Sequence, residues 1–261
     1  MTGLRYVYAI CRPFPAALSA ELTGVAGAPA RQVVHEDLVA VVGTVPEEDF
    51  AVEPLRGRLR DPEWVGETAL AHECVVDALT TVTSPLPLRL ATVLRDDAAV
   101  RLMMQEGHDR FVRALDRIDG RVEWRVRVYA ETGRPAASAG SGPDLAGISG
   151  AAAEGRVPAN AEEYARQLHD DLSRRAEGAC LHPPRNVELS GKSGANVLDA
   201  AYLVPRMKSE EFVERVRRAQ HEEAGLRVEF TGPWAAYAFT GEPAFAGESA
   251  WPACDTTVHH A

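Results

Sequence analysis

Lysine is almost absent from this chain: of 28 basic residues among 261, only Lys192 and Lys208 are lysines. Acid outweighs base, for a formal net charge of −10. Residues 1–132 hold 15 basic and 20 acidic side chains and the remainder hold 13 and 18, so no cationic portion hides inside the acidic average. That distribution argues against a sequence-independent nucleic-acid surface, which needs a field of cationic side chains. Cysteine is scarce as well. Cys11, Cys74, Cys180 and Cys254 stand far apart with no C-x-x-C pair, and in a chain rich in apolar residues they read as reduced thiols. No apolar run approaches the roughly 18–20 residues of a membrane-crossing helix, and the opening MTGLRYVYAICRPFP lacks the continuous apolar stretch of a secretory signal. The expectation is a soluble, cytoplasmic protein with no nucleic-acid or membrane partner.

Core-forming material is plentiful. Hydrophobic residues make up 46% and charged residues 25% of the 261, enough for one large domain or two small ones, each with its own core. RYVYAICR reads as an opening strand followed by a short helix over PAALSAEL, and QVVHEDLVAVVGTV as two strands joined near His35–Asp37. Asp61-Pro62-Glu63 supplies an N-cap, a first-turn proline and an acid for the helix dipole. The helix it opens is predicted to turn Trp64, Thr68, Ala71, Val75, Ala78 and Val82 inward, with His72 as a polar residue flanking that stripe. PLRLATVL reads as a further strand. Val100, Met104, Gly107, Phe111, Leu115 and Ile118 recur at helical spacing, and Gly120 ends that helix. RVEWRVRVYA alternates Val122, Trp124, Val126 and Val128 with Arg121, Glu123, Arg125 and Arg127, a strand with one packed and one charged face.

Residues 133–159 break the pattern with Ala, Gly, Ser and Pro, too little bulk to pack, and read as a flexible linker or insert. Beyond them Asn160 and Glu163 form a capping-box pattern before a helix carrying Tyr164, Leu168, Leu172 and Ala176, which Pro183-Pro184 stops. NVELS and NVLDAAYLVP read as strands around a GKSGA turn. Ser209-Glu210-Glu211 opens a helix with Phe212, Val216 and Ala219 inward, and LRVEF is a last strand. The expected fold is α+β, with two small split-βαβ (ferredoxin-like) domains joined by the Ala/Gly-rich linker. The N-terminal domain spans 1–132, the linker 133–159, the C-terminal domain 160–241 and an irregular tail 242–261.

Motifs of catalysis are incomplete. Gly191-Lys192-Ser193 lacks the P-loop glycine, because Asn186 stands in its place, and it sits between strands instead of opening a helix. His72-Glu73 has Val76 where a zinc helix needs its second histidine. Cys180-x-His182 and His259-His260 have no partners at ligand spacing, and no G-x-S-x-G occurs. No catalytic, metal or cofactor residue is therefore named. Arg89 is the one charge in an otherwise apolar strand and is expected to be a buried structural charge paired with Glu73, Asp77 or Glu123, or else a ligand-binding or interface arginine. In TGPWAAYAF, Trp234, Tyr237 and Phe239 crowd together in a chain with only 7% aromatics. If extended, the segment turns Tyr237 and Phe239 to one face and Trp234 to the other, either closing a core or presenting a patch to another protein.

Several fragments in order carry a resemblance. YVYAI at Tyr6–Ile10, the E-x-A-x2-H-E helix at Glu67–Glu73, PLPLRLATVL, the strand with Glu123-Trp124, AAYLVP at Ala200–Pro205 and TGPWAAYAF are similar to segments of the gas vesicle protein L/F family (GvpL/GvpF). Leu90-Ala91, Ala235-Ala236 and Asp199 depart from that pattern, which has Phe-Gly, Pro-Pro and Asn at those places. The resemblance implies two α+β domains and no catalysis. It also implies a minor structural or accessory protein of gas vesicles that contacts the very hydrophobic shell subunit, and other accessory proteins, during shell assembly or nucleation. On that reading Trp234, Tyr237 and Phe239 are partner-binding residues, supplied by the second domain through residues 226–239. The alternative is an enzyme or small-ligand-binding protein with a site between the two domains, drawing on Arg89 and Trp234.

Overall fold

The computed structural model describes residues 3–15, 18, 21–130, 159–183 and 194–241. Its contacts divide the chain into two compact units, Met1–Glu123 with Pro233–Glu248, and Trp124–Gly232 with Ser249–Ala261. The division falls inside the charged strand and inside the C-terminal strand, not after residue 132. Strand pairing, which a single sequence does not show, decides the membership of each strand. The expected linker 133–159, the GKS turn, NVELS and the tail lie almost wholly outside the described residues, as does part of the helix expected over PAALSAEL.

The first unit is built on a sheet in the order β2-β3-β1-β4 with β5 also paired to β1. Its strands are β1 (Leu4–Cys11), β2 (Arg31–His35), β3 (Leu38–Val45), β4 (Leu86–Pro87) and β5 (Val93–Leu94). β2 and β3 form a hairpin in register from Arg31↔Val42 to His35↔Leu38, turning where Glu36 takes a positive φ of 52°. β1 is antiparallel to β3, and Tyr6 to Cys11 are all fully buried, as expected of a central strand covered on both faces. This is the strand order of a ferredoxin-like sheet, with β1 antiparallel to both β3 and β4 and β2 antiparallel to β3, as expected for the first half. Three strands precede three helices: α1 (Glu47–Phe50), α2 (Val52–Arg58) and α3 (Pro62–Thr80).

α3 starts as its sequence dictates, with the Asp61 carboxylate accepting from the Glu63 and Trp64 amides. Its buried side chains are Thr68, His72, Val75, Val76 and Leu79. The inward stripe is thus rotated from the expected one, and Val82 lies beyond the helix, 44% exposed. The helix predicted over residues 100–118 is broken in two. α4 (Asp97–Glu106) and α5 (His108–Ile118) meet at Gly107, where a Cβ would lie 2.6 Å from the Phe111 ring. α4 is moored by Asp97, which accepts from Arg5 at 2.6 Å and from Arg31 at 2.5 Å. The two guanidiniums hold that carboxyl down to about 2.

The second unit runs β6 (Arg121–Ala130), α6 (Ala159–Arg175), β7 (Gly178–Leu181), β8 (Ala195–Pro205), α7 (Ser209–Ala219) and β9 (Leu226–Trp234). Its sheet order is β7-β8-β6-β9, so each helix follows a strand and the two halves interleave as in a split βαβ unit. α6 ends at Arg175, earlier than the proline pair implied, and the residues after it form β7, antiparallel to β8 from Gly178↔Leu203 to Leu181↔Ala200. The Asn160 side-chain amide donates to Glu223 at 2.9 Å. On the helix side of the sheet Tyr202 stands 5.7 Å from the His169 ring of α6 and 5.5 Å from the Phe212 ring of α7. Cys11 is buried and Cys74 exposed, both as free thiols. Cys180 is disulfide-bonded, against the expectation of reduced thiols throughout.

Candidate functional site

β9 carries the chain into the aromatic segment. Gly232 sits at φ 134°, a conformation open in practice to glycine alone, and the strand ends at Trp234. Residues 233–241 pack with the first unit. Tyr237–Phe239 then wind into a 3-10 turn, a correction to the extended course expected through Phe239. Ala235, Ala236 and Phe239 are buried, Tyr237 is half-buried, and Trp234 keeps 36% of its surface exposed. The partner surface expected from the second domain is thus divided at Gly232, and all three aromatics fall in the first unit.

Two features seat the segment. The Ala238 amide donates to Glu123 Oε2 at 2.7 Å, and the Arg117 guanidinium lies 5.9 Å above the centre of the Phe239 ring. Glu123 is itself buried, although the alternation of β6 places it on the charged face. The Tyr237 ring approaches His72, centroids 6.3 Å apart, at the rim of a stack that continues through Tyr6, Tyr8, Phe50 and Trp64. Successive inward positions of one strand set Tyr6 and Tyr8 side by side, ring centroids 5.0 Å apart. Tyr8 can lie flat there because Gly24 leaves room: a Cβ on that residue would come within 2.2 Å of the Tyr8 hydroxyl.

Hydrogen bonding fixes the polar atoms of the stack. The Tyr6 hydroxyl accepts from the Ala91 amide at 3.1 Å, so its own proton is free for His72 Nδ1, 3.2 Å away. His72 then carries its proton on Nε2, which is buried without a hydrogen-bond partner; the Tyr237 hydroxyl is in the same condition. Burial pulls the His72 pKa down to about 4 and pushes Tyr8 up to about 12. Tyr237 is raised further by burial and by the nearby Glu73 and Asp77 carboxylates, which are raised in turn mainly by their own desolvation. A neutral histidine wedged among rings suits packing and recognition, not proton transfer to a substrate.

Arg89 is not a buried charge. β4 stops at Pro87, the Thr92 amide closes a turn onto the Arg89 carbonyl at 3.2 Å, and Ala91 takes a positive φ of 63°. That turn lifts Arg89 into solvent. Besides Glu123, a buried charged residue is Asp199, 3% exposed, gripped by Arg125 through Nε–Oδ1 at 2.7 Å and Nη2–Oδ2 at 2.8 Å, with Arg127 at 3.5 Å. Sequence reasoning missed His72, Tyr6 and Glu123 as members of the site. The period-two pair Tyr6 and Tyr8 was the available signal. Among the described residues one group could hold an ion, Glu36, Asp37 and His108, and His108 Nε2 is already bonded to Asp37 at 2.6 Å. No helix of the described residues is long and apolar enough to cross a membrane.

Comparison with known proteins covers the same span. The family model described as gas vesicle synthesis protein GvpL/GvpF matches residues 4–241. A protein named gas vesicle protein L, from Streptomyces sp. (strain CB03234), is 51% identical over 249 residues, with 91% of this chain and 93% of that protein aligned. Gas vesicle protein F of the same strain is 26% identical over 250 residues, with 90% and 98% aligned. The crystal structure of the gas vesicle protein GvpF from Anabaena sp. PCC7120 shares the fold, with a TM-score of 0.67 at 16% identity over 95% of this chain and 100% of that one.

Proposed function

The chain belongs to the GvpL/GvpF family of gas vesicle synthesis proteins, and from that premise we propose that it is an accessory protein binding the hydrophobic shell subunit and assisting shell assembly or nucleation. It acts in the cytoplasm, at the growing vesicle, and other accessory proteins are further partners. The match to gas vesicle protein L at 51% identity, against 26% to gas vesicle protein F of one and the same strain, favours the L-type role.

The observation that carries the reading is the placing of Trp234. A large aromatic left 36% exposed, directly beside two aromatics that pack inward, is the kind of anchor on which partner binding concentrates. An apolar subunit is its natural complement, because burying such a ring against apolar surface is favourable without any polar match. Arg89, exposed on the turn after β4, is free to serve a second contact. The test is co-purification of the full-length protein with the shell subunit. Wild type is expected to retain the subunit and Trp234→Ala to lose most of it with the fold intact by circular dichroism. Equal retention by both proteins would remove Trp234 from the interface.

A further inference from the structure

The aromatic segment is well shaped but weakly tied. Two of its backbone hydrogen bonds, Tyr237 to Ala235 and Phe239 to Ala236, are internal and hold its form, not its place. Its place depends on the Ala238–Glu123 bond and on the burial of Ala235, Ala236 and Phe239. Working against these, the Tyr237 hydroxyl and His72 Nε2, on rings whose centroids are 6.3 Å apart, are both buried with no hydrogen bond. A buried polar group left unpaired costs as much as one or two good hydrogen bonds contribute, so each orphan loosens the contact. Glu73 and Asp77 add negative charge beside the Tyr237 hydroxyl, and neither has a cationic partner among the described residues.

We propose that residues 235–240 are a gate on the first unit: the segment beyond β9 undocks as one piece with both sheets intact, and only the undocked form presents Tyr237 and Phe239 to a partner. Burial requires the second step. Phe239 is 2% exposed and cannot touch another molecule while docked, whereas Trp234, at the end of β9, can. Trp234 therefore makes the first encounter, and the other two rings follow as the segment lifts. Lifting also takes Ala235 and Tyr237 away from the apolar cluster that holds Tyr6, Val75 and Leu79, a surface suited to an apolar partner. The partner half of this proposal rests on the function proposed above; the gate itself does not.

Amide hydrogen exchange of the full-length protein tests the gate directly, since the Ala238 amide reports docking through its bond to Glu123. Amides 236–240 are expected to exchange roughly a hundredfold faster than those of β1 and β3, as a local opening would give. Tyr237→Phe removes one orphan hydroxyl and keeps the ring, so it is expected to slow exchange at 238 about tenfold and to reduce capture of the shell subunit. Exchange at 236–240 matching β1, or a Tyr237→Phe rate that is unchanged or faster, overturns the gate. A gate seen by exchange, with no subunit captured even by wild type, overturns the partner reading alone.

Discussion

Two buried polar centres in this molecule are treated in opposite ways. In the second unit Asp199 has both oxygens taken by the fork of Arg125, and a second arginine stands close by. In the first unit His72 spends one nitrogen on Tyr6 and leaves the other unpaired, and the Tyr237 hydroxyl opposite is unpaired too. A satisfied network locks a sheet into one arrangement. An unsatisfied one keeps part of its energy available for rearrangement, and here it sits under the segment that carries the exposed tryptophan. The contrast separates a locked centre from the one we propose to serve binding, without any appeal to catalysis.

Breaking the satisfied centre is expected to have the largest effect. Asp199→Ala leaves Arg125 half-buried without its counter-charge and should cost about 4 kcal/mol, read as a lower denaturation midpoint. Phe239→Ala empties a fully packed position in the other centre and should cost about 3 kcal/mol, with exchange at 236–240 rising first. A third test uses acid. The folded pKa of His72, lowered to about 4, lies below its ordinary 6.5, so the unfolded chain binds more protons between those values. Stability is then fully present above pH 6.5 and falls by about 3 kcal/mol as pH drops through 6.5 to 4, and His72→Phe should flatten that slope. The smallest effect sharpens the comparison. Tyr237→Phe should be neutral or stabilising by about 1 kcal/mol, although it deletes a polar group from a buried site; a loss of more than that would mean the hydroxyl is satisfied after all.

Local signals in the sequence were dependable where the cause is local. The Asp61-Pro62 start of α3, the turn at Glu36 and the buried run of α5 follow from side chains acting on their own backbone. The return of residues 233–240 to the first unit, and the transfer of most of β6 to the second, depend on pairing between distant strands, on which hydropathy is silent. Arg89 misled for a related reason. Its neighbours are apolar, but the pairing of β4 lasts only two residues and the turn beyond it reverses which side faces water. Asp199 was noted as a departure from the family pattern, and its significance emerged only with Arg125 beside it. For the site itself, Trp234, Tyr237 and Phe239 were visible as a cluster. Their seat was not, because His72 lies one position off the expected helical stripe.

The chain leaves the first unit at Glu123 and re-enters it at Pro233. During synthesis the ribosome must therefore produce the whole sequence between those points before the aromatic stack can receive its last member. At ordinary elongation rates that delay is on the order of ten seconds. The second unit, whose strands and helices are contiguous in sequence, can fold during that interval. The nascent first unit meanwhile lacks the segment that carries Tyr237 and Phe239, so its aromatic cluster is completed only after the second unit has been made.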